Sequence, residues 1–321
     1  VTDASIVDVI VNRNAGDLRQ DGAVRRALLR EAAARGARVH ETRTIEELEG
    51  VARALSERGA GCVVLAGGDG SHMAGLSALS RAFGGAMPRV ALAPGGTVGI
   101  VASQVGGGGR GSAGARATRL LRAVCEGTAV ERTTPTLRVR DDAGGDRVAF
   151  IFGAGLVARF FDVYDAQPQQ GVGVAARLAG RALLGVLVGS EFSRTLLTPV
   201  ACALEVDGQP RAPRAWSLVL ASVVKDVGLG IRATYRAGER SDRFHAVAST
   251  RTPRGLAMQV PKVLTGRAMG SQDGGKDQID ALVKVMRVRF EGGGTYVVDG
   301  DVVRAREVTV EAGPVVRVMV G

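Results

Sequence analysis

Residues 63–79 read VVLAGGDGSHMAGLSAL: a β-branched apolar run enters two glycines, an aspartate and a third glycine, and a helix-like pattern follows. Glycines at the end of a buried strand let backbone N–H groups approach an anion, and the helix start behind them adds partial positive charge. Gly67, Gly68 and Gly70 therefore read as a phosphate cradle. It is not the cradle that holds a lysine, since no G-x-x-x-x-G-K-[ST] occurs in the chain. A carboxylate beside polyphosphate is repelled unless a divalent cation lies between them, so Asp69 points to Mg²⁺ and a nucleoside triphosphate. The competing use of Asp69 is as the cap of a helix expected to begin at Ser71. His72 reads as a helix-surface histidine.

A second glycine-bearing stretch, FIFGAGLVARFF at 150–161, fits G-x-G-x-x-A after a strand, the form of a dinucleotide fingerprint. The reading is weak. No acidic residue closes a strand about twenty positions later, and the following segment reads as irregular rather than as a βαβ unit. Cys62, Cys125 and Cys202 are odd in number and far apart, which argues against a disulfide framework or a paired zinc motif and for Cys62 and Cys125 as reduced core residues.

Such a loop needs elements to hold it. Residues 1–128 alternate short apolar strands (5–12, 37–42, 62–66, 89–93) with amphipathic helices, as in a mainly parallel sheet covered on both faces. Beyond residue 129, Val-rich segments recur between turn-rich spacers, and the texture is that of antiparallel β-structure. The expected fold is a doubly wound α/β nucleotide-binding domain over 1–128, then a mainly antiparallel β-sandwich domain over 129–321. A helix-like stretch at 172–194 is apolar and flanked by arginines; it reads either as a helix packed on the β domain or as a surface that meets lipid. The 42 Lys and Arg against 32 Asp and Glu give a net charge of +10, which favours an anionic partner. With 4% aromatic residues and three scattered histidines, neither a base-stacking platform nor a zinc finger is indicated, and no nucleic acid is expected. No apolar run approaches the length of about 18 residues that a membrane span requires, and the chain reads as soluble and cytoplasmic.

The motifs, taken in order, resemble the diacylglycerol kinase catalytic family. VVLAGGDGSHMAGLSAL looks like its glycine-aspartate signature. VIVNRNAG resembles its first-strand turn, with Asn12 and Gly16, and VHETRTIEEL its second-strand segment, with Thr42. VALAPGGTVGIVASQVG is similar to its Pro-x-Gly-Thr segment, with Pro94, Gly96 and Thr97; FIFGAG looks like the opening of its second domain, and TYVVDGD like its Asp-Gly-Glu. The likeness spans nearly the whole chain. Some positions depart from the pattern: Ser71 stands for the usual threonine, Gly99 for an asparagine, Asp301 for the glutamate, and Arg243 for a glycine in RSDRFHAVAS.

The resemblance implies that ATP binds between the domains and that a lipid hydroxyl attacks its γ-phosphate. Asn12, Thr42, Gly67, Gly68, Asp69, Gly70, Ser71 and Thr97 would hold the nucleotide, with Asp69 at the metal and Asp242 a second metal candidate. Asp301 would be the general base, one methylene shorter than the family's, and Asp299 the fallback. The same VVDGDVV also reads as a type I′ hairpin turn around Asp-Gly. The implied partner is a lipid acceptor at an anionic membrane surface, with peripheral contact, and a homodimer is compatible with the sequence. The competing functions are an NAD kinase-like enzyme and a catalytically weakened nucleotide- or lipid-binding regulatory protein.

Overall fold

The apolar runs of the N-terminal part become parallel strands because helices cover both of their faces. The computed structural model describes residues 6–18, 22–95, 99–106, 111–169, 171–212, 214–269 and 278–321. The chain divides into two compact units, Val1–Thr134 with Pro314–Gly321, and Pro135–Gly313.

The first unit runs β1 (Val7–Asn12), α1 (Ala23–Ala34), β2 (Arg38–Thr42), α2 (Ile45–Glu57), β3 (Cys62–Gly67), α3 (Asp69–Phe83), β4 (Arg89–Pro94), α4 (Ile100–Val105), α5 (Ala113–Cys125) and β5 (Val130–Thr134). Val9, Val11 and Val64 pack on one face against Leu28 of α1 and Leu121 of α5. Ile10 and Leu65 face the other way, toward Leu48 of α2 and Ala74 of α3. Thr44 caps α2 in a reciprocal box with Glu47, which sets where the chain leaves β2.

The second unit carries β6 (Leu137–Asp141), β7 (Asp146–Ala149), β8 (Ile151–Gly155), α6 (Leu156–Asp165), α7 (Val172–Val188), α8 (Glu191–Leu196), β9 (Val200–Val206), β10 (Gln209–Pro210), β11 (Ala215–Trp216), β12 (Leu218–Ser222), β13 (Phe244–Ser249), α9 (Pro253–Ala257), α10 (Val260–Leu264), β14 (Gln278–Val283), β15 (Val285–Val298) and β16 (Asp301–Ala312). Its strands form one antiparallel network of order β14-β13-β12-β8-β15-β16-β6-β7, with β9 to β11 attached at β15. β15 is long enough to serve two partners: residues 286–290 pair with β9 and 296–298 with β8, and the register shift between Arg289 and Gly294 separates them. The expected α/β and antiparallel β parts are thus both present.

Three sequence expectations change. The boundary drawn at 128/129 moves to Thr134/Pro135, because β5 pairs inside the first sheet. The last strand, β17 (Val316–Val320), also leaves the second unit: it lies between β4, to which it is parallel, and β5, giving the order β2-β1-β3-β4-β17-β5. Its alternation cannot say which sheet it joins. The segment after FIFGAG is helical rather than irregular, since α6 starts directly after β8. Yet β8 is antiparallel to both β12 and β15, so GAG does not belong to a dinucleotide-binding βαβ unit. Its glycines serve packing: a Cβ on Gly153 would lie 2.5 Å from Val157, and one on Gly155 2.8 Å from the Ser217 carbonyl.

β17 buries Val316, Val318 and Met319, which together are worth about 5 kcal/mol or more of apolar burial, a large share of the roughly 5–15 kcal/mol that holds a domain folded. A chain ending at Pro314 should therefore lose the cooperative urea transition of the first unit. An unchanged midpoint would show that the sheet does not depend on this strand.

Candidate nucleotide-binding site

The parallel registers place Asn12 opposite Thr42, Val11 opposite Ala66, and Gly67 opposite Pro94. The loops after β1, β2, β3 and β4 therefore all leave from one edge, the carboxyl edge at which open α/β sheets bind ligands. A cavity of about 340 Å³ opens there, within the usual range for small-molecule sites, about 300–1,000 Å³. Asn12, Asn14, Thr42, Arg43, Thr44 and Ser71 give it polar groups, and Ile45, Leu48, Leu65 and Gly75 give it apolar wall.

Side chains tie these loops together. Asn12 Nδ2 donates to Ser71 Oγ at 2.8 Å while Asn12 Oδ1 accepts from the Asn14 N–H at 2.9 Å. Asn14 Nδ2 in turn donates to the Arg43 carbonyl at 2.6 Å. A polar chain thus crosses from α3 through the β1 turn to the β2 turn. Asn14, Arg43 and Thr44 were not singled out from the sequence. Their only sequence signal is position, just beyond strand ends at the ligand-binding edge.

The glycine loop is closely built. A Cβ on Gly67 would lie 2.3 Å from the Ser71 Cβ, so the backbone here is bare because the helix turn above it fills the space. Gly95 donates its N–H to the Gly67 carbonyl at 2.8 Å, and a Cβ on Gly95 would lie 2.3 Å from Leu18. α3 begins at Asp69, with Gly68 as its N-cap, rather than at Ser71. Asp69 therefore sits in the first helical turn, where the helix dipole favours a carboxylate, and caps a different helix through space: its Oδ1 accepts from the Val101 N–H of α4 at 3.0 Å.

Residues 7–130 match the model of the family described as the diacylglycerol kinase catalytic domain. A search of curated proteins found no match. Among solved structures, one from Bacillus anthracis str. Sterne, described provisionally as a diacylglycerol kinase, superposes with a TM-score of 0.70 at 16% identity, covering 100% of this chain and 97% of that one. A second from the same organism, described as a diacylglycerol kinase, gives 0.64 at 14% identity over 99% and 97%. At these identities the superpositions bear on the fold, and they extend it through the second unit.

The glycine at position 99, where the family that the chain resembles has asparagine, has a backbone explanation. Gly99 is left-handed, with φ 59° and ψ 48°, and is the N-cap of α4; glycine takes that conformation freely and asparagine tolerates it. The exchange keeps the loop and removes an amide. Thr97 lies outside the described residues. His72 is not on the helix surface: it is wholly buried, with Nε2 3.2 Å from the Ala93 carbonyl and Nδ1 without a partner. α3 turns this residue toward the sheet because its buried face also includes Met73, Leu76 and Leu79.

The aspartates singled out in the second unit differ in use. Asp299 and Gly300, both at positive φ (46° and 96°), make the type I′ turn between β15 and β16. The Asp299 carboxylate is buried and accepts the N–H groups of Phe150 at 3.0 Å and Ile151 at 2.8 Å. That is a structural use, and it displaces Asp299 as the fallback base. Asp301 is the first residue of β16 and is exposed. Asp242, the second metal candidate, is corrected: it pairs with Arg240 at 2.9 Å and lies 4.0 Å from Arg243, and two guanidiniums repel a metal cation. The Arg240 hydrogen bond holds its carboxyl below the ordinary range. Among the described residues no group of three or more His, Cys, Asp or Glu could hold a metal ion.

Replacing Asp299 with Ala leaves the buried Phe150 N–H and the half-buried Ile151 N–H without this acceptor and should lower the unfolding free energy by about 2–4 kcal/mol, read by urea titration. Burial lowers the pKa of His72 from its ordinary 6.5, opposed by the charge of Asp69. The unfolded chain thus binds a proton that the folded chain refuses, and stability falls as the pH drops below about 6.5, at up to about 1.4 kcal/mol per pH unit. Urea titrations between pH 7 and 5 should show this slope in the wild type and a flatter one in His72→Asn.

Proposed function

We propose that the chain is an ATP- and Mg²⁺-dependent lipid kinase that phosphorylates a hydroxyl of a diacylglycerol-like or sphingoid acceptor. The observation that carries the reading is the cavity at the carboxyl edge of β1, β2 and β3, which gathers Asn12, Thr42 and Ser71 beside the GGDG backbone in a unit of the diacylglycerol kinase catalytic family. The fit to a nucleotide is chemical as well as steric. The apolar wall suits a base, and the amide and hydroxyl groups suit sugar and phosphate.

The donor set fits a magnesium that comes with its nucleotide. Mg²⁺ keeps its waters and binds through one or two carboxylates plus substrate phosphates, so Asp69 suffices without a dedicated protein cage. The ion's contribution is to offset charge on the transferring phosphoryl group. Asn12, Thr42, Gly67, Gly68, Gly70, Ser71 and Thr97 hold the nucleotide. Asp301, exposed at the start of β16, takes the proton of the acceptor hydroxyl as its oxygen bonds to the γ-phosphorus and ADP leaves. The shorter reach of Asp301 relative to a glutamate, about 1.5 Å by bond geometry, asks the acceptor to sit correspondingly nearer.

Transfer of label from [γ-³²P]ATP over a panel of diacylglycerol, sphingoid base, phosphatidylglycerol and NAD tests the reading. The wild type should label a lipid, Asp301→Asn should do so about 10²–10⁴-fold more slowly, and Asp69→Ala should lose the Mg²⁺-dependent thermal shift with ATP. Label in NAD would make the protein an NAD kinase, and nucleotide binding with no acceptor would make it a regulatory protein. Undiminished transfer by Asp301→Asn would remove the proposed base.

A further inference from the structure

The cavity at the carboxyl edge of the first sheet has two unlike ends. At one end stand Ser71 and the first turn of α3, where the helix dipole draws a phosphate chain. The other end is the turn from β2 into α2, two strands away in the order β2-β1-β3 and so about 10 Å across. With its phosphates at α3, a nucleotide brings its base to this turn, against Ile45 and Leu48. Ile45 is 53% exposed while Leu48, on the same helix, is buried. The rim of the cavity therefore carries an apolar ledge.

The polar groups of the turn do not treat all purines alike. Its three carbonyls are already engaged: that of Thr42 accepts from the Arg13 N–H at 2.9 Å, that of Arg43 from Asn14 Nδ2 at 2.6 Å, and that of Thr44 from the Leu48 N–H at 3.2 Å. Thr44 Oγ1 accepts from the Glu47 N–H at 3.2 Å, and Glu47 Oε2 accepts from the N–H groups of Arg43 at 2.6 Å and Thr44 at 3.4 Å. The acceptors are thus taken up within the turn. The strongest donor left is the Arg43 guanidinium. Asn14 and Glu47 hold the main chain of Arg43 from both sides, while its side chain is exposed and forms no hydrogen bond or ion pair with a described residue. Glu41, the carboxylate two positions before it, is held by Arg25 at 2.6 Å.

A guanidinium distinguishes purines by the edge that carries position 6 and N7. Guanine and hypoxanthine present two acceptors there, O6 and N7, which a guanidinium bonds as a pair, whereas adenine presents N7 beside an amino donor. An adenine amino group set against Arg43 meets another donor and finds no open acceptor among the groups of the turn. We infer that Arg43 is a specificity-determining residue of the nucleotide site, and that a 6-oxopurine triphosphate, GTP or ITP, is preferred over ATP as the phosphoryl donor. The inference rests on the nucleotide reading of this cavity and is independent of the acceptor. ATP remains a donor of lower affinity, because its phosphates are held at the α3 end, where the base is not read.

Calorimetric titration and thermal shift of the full chain with Mg²⁺ and GTP, ITP or ATP test the inference without an acceptor. GTP and ITP should bind alike and about tenfold more tightly than ATP. ITP lacks the 2-amino group, so its agreement with GTP assigns the preference to O6. Arg43→Ala should bind the three nucleotides alike. Arg43→Gln, whose amide pairs with N6 and N7 of adenine, should reverse the order, a gain that misfolding cannot produce. Both variants should keep the wild-type urea midpoint, since the side chain they replace is exposed and unbonded. ATP binding as tightly as GTP, ITP following ATP, or an unchanged preference in Arg43→Ala would overturn the inference. Equal shifts by all three nucleotides remove the base preference alone, and no shift by any of them removes the nucleotide site with it. A GTP preference without transfer of phosphate to any lipid supports the inference and removes the lipid kinase.

Discussion

A single backbone hydrogen bond, from the N–H of Gly95 to the carbonyl of Gly67 at 2.8 Å, sets the distance between the loops that follow β3 and β4. It forms only because neither residue carries a Cβ; at Gly67 the space is taken by Ser71 and at Gly95 by Leu18. With the loops closed together, Asp69 reaches the first turn of α4, and Ser71 is held where the Asn12 amide can bond it. The polar chain onward through Asn14 to Arg43 depends on the same placement. The site is thus built from main-chain proximity first and side-chain chemistry second.

The same carboxylate does different work according to what surrounds it. Asp69 closes a helix start at the edge of the cavity. Asp299 is buried where two strand-end N–H groups need an acceptor, and its left-handed backbone makes the tight turn that leads into β16. Asp242 is taken up by Arg240 at the surface. Asp301, two positions from Asp299, is carried to solvent by the turn that Asp299 makes. In VVDGDVV one carboxylate therefore holds the turn, and the turn presents the other to solvent.

His72 shows how far packing can override composition. A histidine following a glycine loop reads as polar surface, yet burial keeps it below its ordinary pKa with one ring nitrogen unpartnered. An unpaired buried nitrogen costs stability, and the residue is tolerated because the face of α3 it occupies must meet the sheet. The cost falls beside the glycine loop, where Asp69 supplies an opposing charge.

By itself the sequence determined most of the architecture. Alternating strand and helix periods specified the α/β part, the Val-rich spacing specified the antiparallel part, and GGDG with NRNAG and DGD in order pointed to the kinase family, because local patterns record local geometry and motif order records chain order. It did not determine which sheet β17 joins, since an alternating strand looks alike wherever it pairs. Nor did it reveal Asn14 and Arg43 as cavity residues, the burial of His72, or that Asp299 is buried while Asp301 is exposed. Each of those depends on what lies across space from the residue, and only the registers of the folded sheets and the packing of α3 decide that.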